Sequence, residues 1–156
     1  MDKRQAIGSW LSGPRAAMED AGADFGYRGE QLGLPEEGSG SLARPGRRLG
    51  ALLVDWALCF LIAYSLVTDG YDQPATSNWT LLIFFGLGVL TVGTLGFTPG
   101  KRLFGLRVVS LATGTVHPGR AVLRTALLCL AVPALVWDRD GRGLHDRLAQ
   151  TAEVRI

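Results

Sequence analysis

Two stretches constrain this chain more than anything else in it. Leu49–Val67 and Trp79–Phe97 are almost wholly apolar, and each is about twenty residues long. At about 1.5 Å rise per residue, a helix of that length crosses a hydrocarbon core of about 30 Å. Core helices of water-soluble proteins are rarely so long and so free of charge. The composition agrees: charged residues are 19%, against roughly 25% in soluble domains, and the mean hydropathy is +0.21. The chain therefore reads as an all-α integral membrane protein of two to three transmembrane helices. A small cytoplasmic loop region is expected to hold a β-hairpin.

The first apolar block begins after 48 residues, too deep for a cleaved signal peptide, so it should stay in the membrane as an internal anchor. Residues 1–43 are rich in Gly, Pro, Glu and Ser and read as a flexible cytoplasmic tail. Trp10, Leu11 and Phe25 offer membrane or partner contacts there; incidental apolar residues are the preferred reading. Residues 44–156 form the membrane domain.

Charge placement orients it. Arg44, Arg47 and Arg48 precede the first block, and Lys101, Arg102, Arg107 and Arg120 follow the second. The loop between them, 68–78, holds Asp69 and Asp72 and no Lys or Arg. The positive-inside rule then puts the N-terminus and residues 98–120 in the cytoplasm and the 68–78 loop outside. Tyr71 and Trp79 suit the outer interface.

A third apolar segment, 121–137, contains Arg124 and Pro133. It either crosses the membrane or re-enters on one side. The Arg-rich tail after it favours a cytoplasmic C-terminus. "RVVSLATGTVHP" reads as two short strands around a Gly turn and "TAEVRI" as a third. If they pair, they lie on one side.

A net charge of +2 argues against a nucleic-acid partner. Cys59 and Cys129 lie in apolar segments without CxxC spacing or a nearby His, so packing thiols are expected and no metal site or cofactor is. "GTLGFTPGKR" fails as a phosphate loop, because Leu95 replaces the first Gly and Arg102 the Ser or Thr. Pro99 and Gly100 read as a helix stop, with Lys101, Arg102 and Arg107 at lipid headgroups. His145 beside Asp146 lacks a nucleophile and an oxyanion hole, so capping or hydrogen bonding is preferred to acid–base chemistry. Gly86, Gly88, Gly93 and Gly96 in the second block suit close helix packing.

Asp55 is the anomaly. It stands inside the first apolar block, seven residues after Arg48, so two helical turns return the pair to one face. A charge near mid-membrane costs about 2.5–3.5 kcal/mol on insertion scales. Either Asp55 pairs with Arg48, Arg124 or a backbone donor and ties helices together, or it is a proton or cation site.

"RLGALLVD" (48–55), "TPGKRLFGLRVV" (98–109) and "GLHDRLAQT" (143–151) together resemble the RDD family of membrane proteins, with the composition of an actinobacterial member. The family is named for one Arg and two Asp; Arg48 and Asp55 match the first two, and Asp146 is the candidate third. The resemblance covers about residues 44–155. It implies a polytopic inner-membrane protein with a suspected role in transport, including cation/proton exchange for some members.

Two functions follow. One is a small transporter or exchange component, with Asp55 as the ion or proton site, Arg48 as its partner, and Arg124 and Asp146 completing a polar cluster. Two or three helices rarely enclose a pathway alone, so this requires a homo-oligomer. The other is a non-transporting scaffold or accessory subunit bound to another membrane protein. No enzyme is expected.

Overall fold

The structure, a computed structural model, describes residues 22, 26–67, 73–130 and 142–156. Two long helices dominate. Helix α1 spans Pro45–Ile62 and runs on as a π-helical turn through Ala63–Val67; helix α2 spans Gln73–Thr94. Both are long and apolar enough to cross a membrane. Proline near the start of each fixes φ where a helix needs no N–H.

The buried stripes of both helices repeat every four residues, which places them on one face. In α1 the stripe is Ala51, Asp55, Cys59 and Ala63; in α2 it is Thr76, Thr80, Phe84, Gly88 and Val92. Large apolar residues point the other way: Leu53, Leu61, Leu66, Leu82 and Leu90 are all exposed by more than half. Small and polar residues inside with large apolar ones outside is the pattern of helices packed in lipid. Trp56 meets Phe84 edge-on at 5.6 Å, where the helices face each other. Thr80, Thr91 and Thr94 donate their hydroxyls to carbonyls one turn back, which satisfies them without water.

Gly96, in the left-handed region, ends α2. A short helix α3 (Pro99–Leu103), strand β1 (Leu106–Ser110), helix α4 (Pro118–Cys129), a one-turn helix α5 (Leu144–Leu148) and strand β2 (Thr151–Arg155) follow. The strands are antiparallel, in register from Leu106 opposite Arg155 to Ser110 opposite Thr151. A small sheet was expected, and two of the three candidate segments form it. Residues 111–117 are turn instead of strand, so β1 takes its partner from the C-terminus.

On the other edge of β2, Leu42 bridges to Val154. The Ala43 N–H donates to the Glu153 carbonyl at 2.8 Å, and Arg155 N–H to the Ser41 carbonyl at 2.9 Å. The expected tail thus reaches into the folded unit at residues 40–43. Its earlier part, with Trp10, Leu11 and Phe25, lies outside the described residues, as do Tyr71 and residues 131–137 of the third apolar segment. The start of α1, the end of α2, the sheet and α5 therefore form a cap at one end of the two long helices. Two small cores hold it. Val92, Val108, Val116 and Ala121 make one; Ala43, Ala51 and Leu106, with Phe104 against them, make the other.

Candidate functional site: a buried charge cluster beneath the helices

Asp55 is 1% exposed, and α3 is what makes that tolerable. Thr98 is the N-cap of α3 and accepts the Lys101 N–H at 3.3 Å. Its hydroxyl donates to Asp55 Oδ2. Gly100 N–H donates to Asp55 Oδ1 at 2.7 Å. Both carboxylate oxygens thus receive donors from one loop, at the end of a helix where N–H groups lack intrahelical partners. A backbone donor was one of the partners expected for Asp55, and Gly100 supplies it. Arg48 and Arg124 do not pair with it; they turn to other carboxylates.

Those carboxylates are Asp146 and Glu153. Arg124, 1% exposed, donates Nε–H to Asp146 Oδ1 at 2.7 Å and a terminal N–H to Glu153 Oε1. Arg48, at the rim with 14% of its side chain exposed, lies 3.9 Å from Asp146 Oδ2 and 3.7 Å from Glu153 Oε2. Lys101 Nζ lies 3.5 Å from Glu153 Oε1. His145 Nε2 lies 3.5 Å from Asp146 Oδ2, and the Thr151 hydroxyl donates to Asp146 Oδ1 at 3.2 Å. Two buried carboxylates are thus held by three cations from α1, α3 and α4.

Each charge depends on the others. Burial would raise the Asp146 carboxyl above its ordinary value, but Arg124, then His145 and Arg48, outweigh it and hold it far below. Glu153 is likewise lowered: burial and Asp146 push it up, while Lys101, Arg124 and Arg48 pull it down further. Arg124 in turn holds both carboxylates at once. The ion pairs overcome desolvation only as a set.

Among the described residues, His145, Asp146 and Glu153 also place potential metal donors within 4.8 Å of one another. The guanidiniums of Arg48 and Arg124 and the ammonium of Lys101 already supply the countercharge that an ion would bring.

The candidate cluster of Arg48, Asp55, Arg124 and Asp146 is thus split. Arg48, Arg124 and Asp146 come together, while Asp55 has its own site against Thr98 and Gly100. Of the expected headgroup contacts, Arg102 and Arg107 are exposed, and Arg102 stacks over the Phe97 ring at 5.5 Å. Lys101 is a correction: it is 4% exposed and turns inward, because its backbone is fixed by the Thr98 cap and Glu153 waits below. Sequence reasoning missed Thr98, Gly100, Thr151 and Glu153. A signal for Glu153 was available: it is one of only four acidic residues after position 72, amid nine basic ones.

No curated protein and no solved structure matches the chain. A family model described as RDD family matches residues 42–150, which takes in Arg48, Asp55 and Asp146 but stops short of Glu153. The chain therefore belongs to the RDD family, as a membrane protein with two candidate transmembrane helices.

Proposed function

We propose that this protein is a non-enzymatic membrane scaffold or accessory subunit, multi-pass in the plasma membrane, with its cap in the cytoplasm. The observation that carries this reading is that the buried charges are bonded to groups of the protein's own chain. Asp55 is satisfied by Thr98 and Gly100, and Arg124 by Asp146 and Glu153. Such an arrangement fixes five segments to one another and gives each oxygen of Asp55 a donor from the chain. Two crossing helices enclose no pathway by themselves. The positive residues Arg44, Arg47, Arg102 and Arg107 are exposed at the cap end, which supports a cytoplasmic cap and N-terminus and contact of Arg102 and Arg107 with anionic headgroups.

A second reading, a homo-oligomeric cation/proton exchanger, is favoured by one observation. Asp146 Oδ2 and Glu153 Oε2 are buried without a hydrogen bond among the described residues, and both face Arg48 at the rim. The two readings separate on the Asp55→Asn variant. As a scaffold, the protein loses abundance and the size of its detergent-extracted assembly in native membranes falls. An assembly of unchanged size and amount would count against the scaffold.

A further inference from the structure

The cap holds the described flanks of the third apolar segment, residues 118–124 and 142–155, together, so both lie on one side of a membrane that α1 and α2 cross. Pro118 begins α4 beside β1, and Arg120 donates to the Ser110 hydroxyl at 3.0 Å. By residue 146 the chain is back at the same place, because Asp146 binds Arg124 and β2 pairs with β1. The run from Pro118 to Arg142 is too short for two crossings of about 20 residues each. A single crossing would leave β2 on the far side from β1.

Helix α4 nevertheless runs along α2, into the layer where α2 is apolar. Pro118 Cα and Ala121 Cβ lie 3.8 and 3.6 Å from where a side chain on Gly93 would begin, and Thr125 Cγ2 lies 2.7 Å from the same position on Gly88. As α4 advances, its contacts retreat along α2, so the two helices are antiparallel. One further turn brings Cys129 toward the level of Phe84, near the middle of α2. The length agrees: 12 residues at about 1.5 Å each make about 18 Å, roughly half of a core of about 30 Å. The outer face of α4 carries Val122, Leu123 and Leu130, at 43, 46 and 67% exposure. That face continues the exposed apolar surface of α2.

We propose that α4 is a half-membrane helix. It enters the cap-side leaflet beside α2, buries Val122, Leu123 and Leu130 among the acyl chains of that leaflet, and the chain leaves by the face it entered. The occupant of this surface is lipid, because the face continues that of a candidate span at the same depth. Thr125 and Ala121 face Gly88 and Gly93 because only small residues on α2 admit a second helix so closely. The inference rests on the membrane reading of α1 and α2.

Cysteine accessibility tests it. In a Cys59→Ala, Cys129→Ala background, single cysteines replace Thr113, Leu130 and Ile156, one per variant, and membranes of both orientations meet a membrane-impermeant maleimide. Carbonate-resistant membrane retention is scored first. Thr113→Cys and Ile156→Cys should label from the same side. Leu130→Cys should label from neither side with this reagent, although it reacts with a lipid-soluble maleimide. Labelling of Thr113→Cys and Ile156→Cys from opposite sides would overturn the proposal in favour of a crossing. Labelling of Leu130→Cys by the impermeant reagent as readily as Thr113→Cys would overturn it in favour of a helix outside the hydrocarbon. Release of every variant by carbonate would overturn the membrane reading itself, and the proposal with it.

Discussion

Gly100 and Asp55 meet so closely that the glycine is part of the aspartate's binding site. A Cβ on Gly100 would lie 2.3 Å from the Ala51 carbonyl oxygen and 2.9 Å from the Asp55 carboxylate. The first of these is backbone, which cannot swing aside. Gly100→Ala should therefore force α3 off α1 and destabilise the protein by about 2–3 kcal/mol, at the upper end for overpacking. Gly86→Ala is the control: nothing lies within 4 Å of its added methyl, and alanine favours a helix by roughly 0.5–1 kcal/mol over glycine. Thermal unfolding in detergent should move in opposite directions for the two variants.

Within the charge cluster, burial ranks the cations. Arg124 is 1% exposed and holds both carboxylates, whereas Arg48 retains 14% of its side-chain exposure at longer distances. Removing one partner of a buried set leaves an uncompensated charge, at about 3–5 kcal/mol. Arg124→Met should fall in that range and Arg48→Met well below it. Chemical denaturation of the two variants in one detergent checks the order; equal losses would contradict it.

Acid should weaken the fold through Asp146 and Glu153. Both have pKa values below their ordinary 3.8 and 4.5, so the native state holds fewer protons than the unfolded chain in that range. Their contribution is complete above those ordinary values and is lost as pH falls below them toward the folded-state values. Unfolding midpoints measured from neutral pH down to about pH 3 should hold level and then drop near the ordinary carboxylate values. Asp146→Asn should start lower at neutral pH and show a shallower acid drop.

The last strand should matter more than the family match implies. That match ends at residue 150, yet Glu153 binds Arg124, Arg48 and Lys101, and β2 joins residues 40–43 to β1. A stop codon after Gln150 should leave α1 and α2 membrane-bound while the cap becomes protease-sensitive. Limited proteolysis of membranes reads this out: new cleavage within 98–120 is expected, and an unchanged pattern would contradict the role of β2.

The two long apolar helices were legible because their signal is local: twenty apolar residues in a row admit few other folds. The partnership of Asp55 was not legible. Heptad spacing puts Arg48 on its face, but Asp55 sits two turns deeper, level with the loop that follows α2. There Thr98 and Gly100 supply donors at no charge, and Arg48 reaches the sheet instead. The inward turn of Lys101 was hidden by its neighbours, since "GKR" after an apolar helix looks the same whether one side chain or both face the headgroups. Glu153 required knowing that β2 pairs with β1, a contact between distant parts of the sequence that no local pattern encodes. The sheet's strands were visible, but their pairing was not.

On the proposed scaffold reading, these charges bind the protein to itself rather than to a transported ion. Proton flux tests it most directly. Purified protein in liposomes would receive sodium, lithium or potassium pulses while internal pH is followed, with Asp55→Asn and Asp146→Asn beside the wild type. Well-inserted wild type should give no cation-dependent flux above protein-free liposomes. A cation-dependent proton flux that either variant abolishes would contradict it and make this cluster an exchange site.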